Sequence, residues 1–373
     1  MKRRRSLSSL LSYALLVLGG GTMLLPLLWM VSTSLKDPSA ALVYPPEFVP
    51  RVQETWTAPD TGRELPVFWA IVEGRRVKVA RLRMVQGRAV VRVLDPSAPS
   101  REPTQVPLYR EEGGRRAAAL VPVKDVHLRW RNYPDAWRAM KLERAWMAFE
   151  IGPLRFPGLP IRDAFLAFYL NSVIVTLVVT LGCVATSSLA GYAFARLRFP
   201  GRDSLFLAYL GTLMVPHVVT MIPVFILLRS LGLIDTYAAL ILPAMFSAYG
   251  TFMLRQFFLS VPRDVEDAAH LDGCGSWGVY WHVIMPLSKP ALAALGTFVF
   301  LWTWNSFMWP LIVINSTEKM PLMLGLYSFM GPHSAEWELL MAASVMVMGP
   351  VILVFLLGQR YFVQGIMLTG MKG

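Results

Sequence analysis

Asp264, Glu266, Asp267 and Asp272 place four carboxylates within nine residues of a polar stretch, 262–290, that lies between two long apolar runs. Acids grouped this way can take part in bond chemistry, or they can complement the positive end of a helix. Nothing else in the chain supports the first use. It contains no HExxH, no Cys/His cluster at metal-ligand spacing and no G-x-S-x-G elbow. A Walker A nucleotide loop needs Lys followed by Ser or Thr, and none of the eight lysines is followed by either. What these acids offer is charge on a surface helix, which is the chemistry of recognition.

The elements that would hold them follow from the flanking residues. Pro262 suits a first helical turn, where its missing N–H is not needed. Asp264, Glu266 and Asp267 then fall in the early turns, and Gly273 can adopt the left-handed conformation that ends a helix. A second helix is predicted from Ser276, with Trp277, Tyr280, Trp281 and Ile284 at i, i+3, i+4 and i+7 on one apolar face. Indole and phenol rings favour the membrane interface. The second helix is therefore expected to lie along a membrane surface and hold the first toward a soluble partner. Read from the residues alone, an ordinary interfacial loop with helical turns fits equally well.

The rest of the chain has the composition of a membrane protein. Of its 373 residues 55% are hydrophobic and 16% charged, and the mean hydropathy is +0.47; soluble domains are nearer a quarter charged. The net charge of +12 marks cytoplasmic ends rather than a nucleic-acid site, since no basic stripe with interleaved aromatics is present. Six apolar segments, roughly 10–34, 164–194, 204–228, 237–258, 291–314 and 338–358, are each long enough to cross a bilayer as a helix. The first follows a basic start, Lys2 to Arg5, and lacks an A-x-A-like cleavage site, so it reads as a retained span. Lys and Arg asymmetry places both termini inside, together with Arg196, Arg198, Arg202, Arg255, Arg263, Lys289, Arg360 and Lys372. Cys183 and Cys274 do not suggest a disulfide framework.

By this count residues 36–163 lie outside, despite their many arginines. Long translocated regions escape the charge rule, so the segment reads as a domain. Val67–Val72, Val77–Met84 and Ala89–Leu94 are rich in β-branched residues and are separated by Glu73-Gly74 and Gln86-Gly87, which predicts a three-stranded meander. Pro96, Pro99, Pro103 and Pro107 then predict loop.

Inside the spans His217 is the one clear ionisable group, and it stands between Pro216 and Pro223. Intramembrane charge often marks ion pathways. Its scarcity here speaks against a proton-coupled carrier, and His217 is readily explained as a histidine satisfied at a helix break. If the chain transports a solute, the energy must come from a second protein.

One family unites these features. Asp267-Ala268-Ala269-x-x-Asp272-Gly273, with Pro286 after a gap of twelve, resembles the E-A-A-x-x-D-G…P loop of ABC importer permeases, with Asp in place of the first Glu. Asn171-Ser172, Ala190 to Arg196 and Phe199-Pro200-Gly201-Arg202 resemble the second span of sugar permeases. Met214-Val215-Pro216, Ile222-Pro223, Leu231 to Thr236, Leu254 to Phe258 and the tail from Arg360 are similar to later parts of the same family. The resemblance covers about 10–50 and 130–373 and leaves 51–128 aside. It implies an all-α polytopic membrane protein with six transmembrane helices and a small β-rich extracytoplasmic insert between the first two. Residues 1–50 would be the tail and first span, 51–128 the insert, and 129–373 the permease domain with its coupling loop at 260–290. The implied function is that of a permease subunit in an ATP-driven, binding-protein-dependent sugar importer of the inner cell membrane. Its implied partners are a homologous, MalF-like permease subunit, two copies of an ABC ATPase and an extracytoplasmic solute-binding protein. The chain itself would hold no cofactor, ATP being bound by the ATPase, and it would not be an enzyme. Glu266, Asp267, Ala268, Ala269, Asp272, Gly273 and Pro286 would form the ATPase-coupling loop. Trp302, Trp304, Asn305 and Trp309 could line a sugar path, or could serve interface anchoring and helix packing. A polyol or glycerol phosphate importer, a secondary carrier, and a membrane-anchored enzyme or receptor built on 51–128 are the other readings.

Overall fold

A computed structural model describes residues 7–370 except 42, 45, 73, 87, 96–102, 113–114, 148, 152–153, 157 and 331–335. Lys2 to Arg5, Glu73, Gly87, Pro96, Pro99 and Lys372, used above, lie outside the described residues. The chain forms two compact units. One is Met1–Tyr133 with Glu336–Ala342, and the other is Pro134–Ala335 with Ala343–Gly373.

The first unit opens with the long apolar helix α1, Leu7–Ser34. Its end is tied to a segment a hundred residues later: the buried Asn132 amide donates to the carbonyls of Ser34 at 2.9 Å and Lys36 at 2.7 Å. Between these points the chain makes ten strands. Strand β1, Arg51–Gln53, pairs antiparallel with β10, Lys124–Val126, so the entry and exit of the β segment lie side by side. Adjacent ends are what allow such a segment to interrupt a chain without disturbing what flanks it. The main sheet runs β2 (Thr55–Thr57), β3 (Glu64–Val72), β4 (Arg75–Val85), β5 (Arg88–Val93) and β6 (Thr104–Pro107), with β9 (Val121–Pro122) on β3. Strands β3, β4 and β5 are the meander expected from the sequence. The proline-rich stretch is not all loop, because Thr104–Pro107 pairs with β5. It does so at the sheet edge, the position prolines tolerate.

One face of this sheet buries Ala70, Val77, Val79, Ala89, Val91, Val93 and Val106. The basic residues lie over aromatic rings: Arg76 is 5.0 Å from the Trp69 ring and Arg92 5.5 Å from that of Trp56. Lys78 pairs with Glu54 at 2.6 Å. The guanidinium groups of these two arginines thus sit on aromatic faces, which attract a cation. Strands β7 (Tyr109–Glu112) and β8 (Arg115–Ala118) form a hairpin, and a short helix α2, Asn132–Arg138, follows β10.

The second unit is helical apart from the small hairpin of β11 (Phe149–Ile151) and β12 (Leu154–Phe156). Its central helix α3, Ala164–Arg196, has 33 residues and is about 50 Å long. Helices α4 (Arg202–Gly211) and α5 (His217–Ser230) follow, then α6 (Tyr237–Ile241) and α7 (Ala248–Ser260). Four helical stretches are long and apolar enough to span a membrane: Leu11–Ser34, Ala164–Arg196, Tyr237–Ser260 and Trp337–Gln359. Two further pairs qualify only when joined: Arg202–Met214 with His217–Ser230, bent by 101°, and Ser276–Leu287 with Lys289–Trp304, bent by 76°. The first bend falls at Pro216, which holds the preceding residue out of the helical region. The sequence segment 204–228 is thus two helices, and 291–314 ends at Trp304, with α12, Met308–Val313, separate beyond it.

Gly191 lies where α3 meets α7. A Cβ there would come within 3.2 Å of the Arg255 nitrogen and 3.3 Å of the Thr251 carbonyl, so a larger residue would push the two backbones apart by a few tenths of an ångström.

Candidate functional site

The polar stretch folds into a helix, a turn and a bent second helix. Helix α8, Arg263–Leu271, begins after Pro262 and carries Asp264 and Glu266 in its first turn, where they face the positive end of its dipole. It ends in a Schellman turn. Gly273 donates to the His270 carbonyl and Cys274 to that of Ala269, with Gly273 at φ +88°; a side chain is strained in that conformation. Asp264, Asp267, Ala268, Leu271 and Asp272 are exposed, Leu271 at 90%. Ala269 packs instead against the core formed by Tyr192, Leu254, Phe258 and Tyr280. Glu266 also turns inward. Its Oε1 lies 2.8 Å from Nε of Arg196, and the two side chains are 12% and 5% exposed. Neither atom has a hydrogen-bond partner, so the contact is an ion pair whose N–H does not point along the contact. Of the acids singled out in the sequence, Glu266 is therefore not a surface group.

The second helix departs from expectation. The rings of Trp277, Tyr280 and Trp281 do lie together, with centroids 5.4 Å (277–280), 6.0 Å (277–281) and 5.3 Å (280–281) apart, but the predicted face is split by depth. Trp277 and Trp281 are 62% and 50% exposed, whereas Tyr280 and Ile284 are buried. The cause is a π turn, Tyr280–Ile284, between α9 (Ser276–Val279) and α10 (Met285–Leu287). Its wider i→i+5 pattern puts residues four apart nearly above one another, so 277 and 281 form one stripe and 280 and 284 another. Pro286, which is exposed, stands just after it. A proline there cannot donate to a carbonyl one α-turn back, and the N–H of Met285 bonds instead to Tyr280 O.

Three residues of α3 hold this assembly. Ser188 Oγ meets the Tyr280 hydroxyl at 2.8 Å, Tyr192 Oη donates to Ser276 O at 3.0 Å, and Arg196 pairs with Glu266. They are spaced i, i+4 and i+8, on one helix face. In the sequence, Arg196 is a marker of orientation and Tyr192 and Arg196 belong to the stretch that resembles the second span of the family, but neither is assigned a contact, and Ser188 stands outside that stretch. Their signal, polar side chains at one helical repeat in an apolar run, is visible in retrospect.

A cavity of about 1280 Å³ opens within the second unit. Its lining includes hydroxyls of Ser172, Thr176, Thr220, Ser247 and Thr303, the amide of Asn305, and the rings of Tyr249, Trp302, Phe307 and Trp309. Among the described residues no Asp, Glu, Lys or Arg lines it, and His217 does. Trp302, 76% exposed, and Asn305 line this cavity. Trp304 does not. It is 2% exposed, stacks on Phe300 at 5.6 Å, and donates its indole N–H to Val347 O. It is a packing residue, because its place two residues on from Trp302 turns it to the opposite side of the helix α11, Lys289–Trp304.

At the other end of α3, the buried Asn171 amide makes all four of its hydrogen bonds. Nδ2 donates to the carbonyls of Glu318 and Met320, both at 2.9 Å. Oδ1 accepts from Trp146 Nε1 at 2.7 Å and Tyr237 Oη at 2.8 Å. The neighbouring Asp235, at φ +59°, accepts from the N–H groups of Asn315 and Ser316, from the Ser316 hydroxyl and from Lys319 Nζ at 3.1 Å. Burial works against its charge, but these donors outweigh burial and hold the carboxyl below its ordinary range.

Long apolar helices, an uncharged cavity among them and an acid-bearing polar helix joined to the same unit define an integral membrane transport subunit. Residues 187–368 match the family described as binding-protein-dependent transport system inner membrane component. The arabinooligosaccharides transport system permease protein AraQ of Halalkalibacterium halodurans is 38% identical over 203 residues, 54% of this chain and 73% of the relative. The sn-glycerol-3-phosphate transport system permease protein UgpE of Yersinia pestis is 36% identical over 251 residues, 67% of this chain and 83% of the relative. Among solved structures, a bacterial ABC transporter involved in import of the acidic polysaccharide alginate aligns with TM-score 0.51 and 23% identity, over 62% of this chain and 91% of that one, which shows a shared fold. The chain belongs to the family of binding-protein-dependent transport system inner membrane components, the permease subunits of ABC importers.

Proposed function

We propose that this permease moves a neutral carbohydrate, mono- or oligosaccharide, and that α8 is where its ATPase partners dock. The observation that carries the reading is the joining of two features in one unit: an exposed Asp267-Ala268…Leu271-Asp272 surface on a helix stopped by Gly273, and a cavity lined by hydroxyls, an amide and aromatic rings. Rings stack on sugar faces, and hydroxyls and amides match sugar hydroxyls. An AraQ-like substrate fits this lining. A glycerol phosphate, as UgpE is named for, would need cationic donors, and the lining holds no Lys or Arg.

The family supports an assembly of the following kind. A homologous permease subunit completes the pore, two ABC ATPase subunits sit beneath the coupling helices, and an extracytoplasmic binding protein delivers the solute. Counting each bent pair as one span makes six, which leaves both termini on one side; the Lys and Arg asymmetry supports the cytoplasm for that side and the outside for residues 51–128. In this arrangement Asp267, Ala268, Asp272 and Gly273 meet the ATPase, and Trp302 and Asn305 face the path. ATP-driven closure of the ATPase dimer would push α8, and the helices rigidly joined to it would rock.

The test is reconstitution of the complete transporter in proteoliposomes. Uptake of neutral sugars should require ATP on the ATPase side and the binding protein on the other. Solute movement by the purified chain without a nucleotide-hydrolysing partner, or topology mapping that puts Gly273 outside, would overturn the reading.

A further inference from the structure

The Arg196 guanidinium does two things at once. Nη2 donates to the carbonyls of Phe258 at 2.5 Å and Val261 at 2.6 Å, the free carbonyl end of α7. Nε meets Glu266 of α8 at 2.8 Å. One cation thus neutralises the negative end of one helix dipole and holds a carboxylate of the next helix. Both side chains are nearly buried, at 5% and 12% exposure. A buried pair of this kind is weak evidence for added stability, since desolvation opposes the Coulomb gain, but breaking one side leaves a charge uncompensated. Its value lies in geometry. The planar, forked guanidinium fixes the directions of several donors together, which a lysine ammonium does not.

The contact is also placed at the critical point of the joint. Between Ser260, the end of α7, and Arg263, the start of α8, there are only Val261 and Pro262. Such a link could act as a swivel. The Arg196 contacts bracket it, with Phe258 and Val261 before Pro262 and Glu266 after it.

We propose that Arg196 is a positioning residue for coupling: by bracketing the α7–α8 link it makes α8 move as one body with α3 and α7, so that displacement at the docking surface reaches the cavity walls. This rests on the reading that α8 receives the ATPase. Without the bracket, α8 would turn about Val261-Pro262 when pushed, and ATP would be hydrolysed with less solute carried.

The experiment uses the complete transporter in proteoliposomes and reads solute moved per ATP hydrolysed for wild type, Arg196→Gln, Arg196→Lys and Glu266→Gln. A Cys274→Ser chain carrying Ala268→Cys reports docking independently, by cross-linking to the ATPase. Solute per ATP should fall by about tenfold or more in Arg196→Gln, which removes the ion pair to Glu266 and the charge behind the two hydrogen bonds to Phe258 and Val261. The fall should be smaller in Arg196→Lys, which keeps the charge, and in Glu266→Gln, which keeps the shape, while the cross-link forms in each. A purely structural role would lower yield and scale ATP hydrolysis and uptake together, leaving the ratio fixed. Wild-type ratios in Arg196→Gln and Glu266→Gln with the cross-link intact would overturn this inference alone. Absence of the cross-link in the wild-type background would overturn the docking reading beneath it. If Arg196→Gln does not accumulate, the near-isosteric Glu266→Gln decides.

Discussion

The two ends of α3 are fastened by opposite chemistry. At one end Asn171, a neutral amide, makes four hydrogen bonds to two loop carbonyls, an indole and a phenol. At the other, Arg196 makes an ion pair and caps two carbonyls. The amide joint cannot loosen without orphaning several buried groups at once, which is expensive wherever water is scarce. The charged joint has one strong contact across a two-residue link, so a partner pushing on α8 acts directly on it. Under the proposed coupling, the difference assigns the fixed frame to one end and the moving part to the other: a frame is built from satisfied neutral bonds, and a lever from a directional charge contact next to a short link.

The largest expected effect tests the frame. Asn171→Leu keeps the branching, adds bulk at a fully buried position and strands the indole N–H, the phenol and two carbonyls, and should cost about 3 kcal/mol or more. Thermal unfolding in detergent should show it as a clear fall in Tm, and a change within error would mean the network is ornamental. A smaller loss is expected at the lever, where Gly273→Val forces a β-branched residue to φ +88° at about 1–2 kcal/mol. Membrane insertion should persist while solute-stimulated ATP hydrolysis fails; normal stimulation in that variant would count against a rigid α8. Asp235→Asn comes next, at about 1 kcal/mol, because the amide cannot accept from all the donors now aimed at the carboxylate; a stability assay on the purified chain measures it.

The smallest effect is a pH dependence at the frame end. The folded-state pKa of Asp235 is depressed, so its contribution is present above the ordinary carboxylate value, near about 4, and is lost as pH falls through the folded-state value. Acid titration of Tm should therefore weaken the wild-type chain more than Asp235→Asn. Parallel curves would show that the carboxylate's charge is not what holds the loop at Asn315 and Ser316.

Much of this was legible in the residues. Pro262, the early acids and Gly273 announced α8 and its end, and the helix is there with the expected left-handed glycine. The β-branched runs at 67–94 announced the meander, since alternation and turn residues are local signals. The misses share a cause. Trp304 was grouped with Trp302 because composition does not say which side of a helix meets a neighbour. The stripe through Trp277 and Ile284 assumed an even α-helical repeat, and the π turn before Pro286 broke it. Glu266 looked like one acid among four until Arg196, seventy residues away, turned it inward.

Sequence alone determined what depends on near neighbours and on solvent preference: which runs are apolar enough to be spans, where helices start and stop, that the chain carries no nucleotide or metal motif, and which family its loop resembles. Tertiary structure decided everything set by distant partners meeting. It brought the stripe of Ser188, Tyr192 and Arg196 against the polar stretch, closed the four bonds of Asn171, and sorted cavity-lining side chains from packed ones. Hydrophobicity and turn chemistry are properties of a segment, whereas the direction a buried polar group must face is dictated by whichever donor or acceptor the packing of the whole bundle brings within reach.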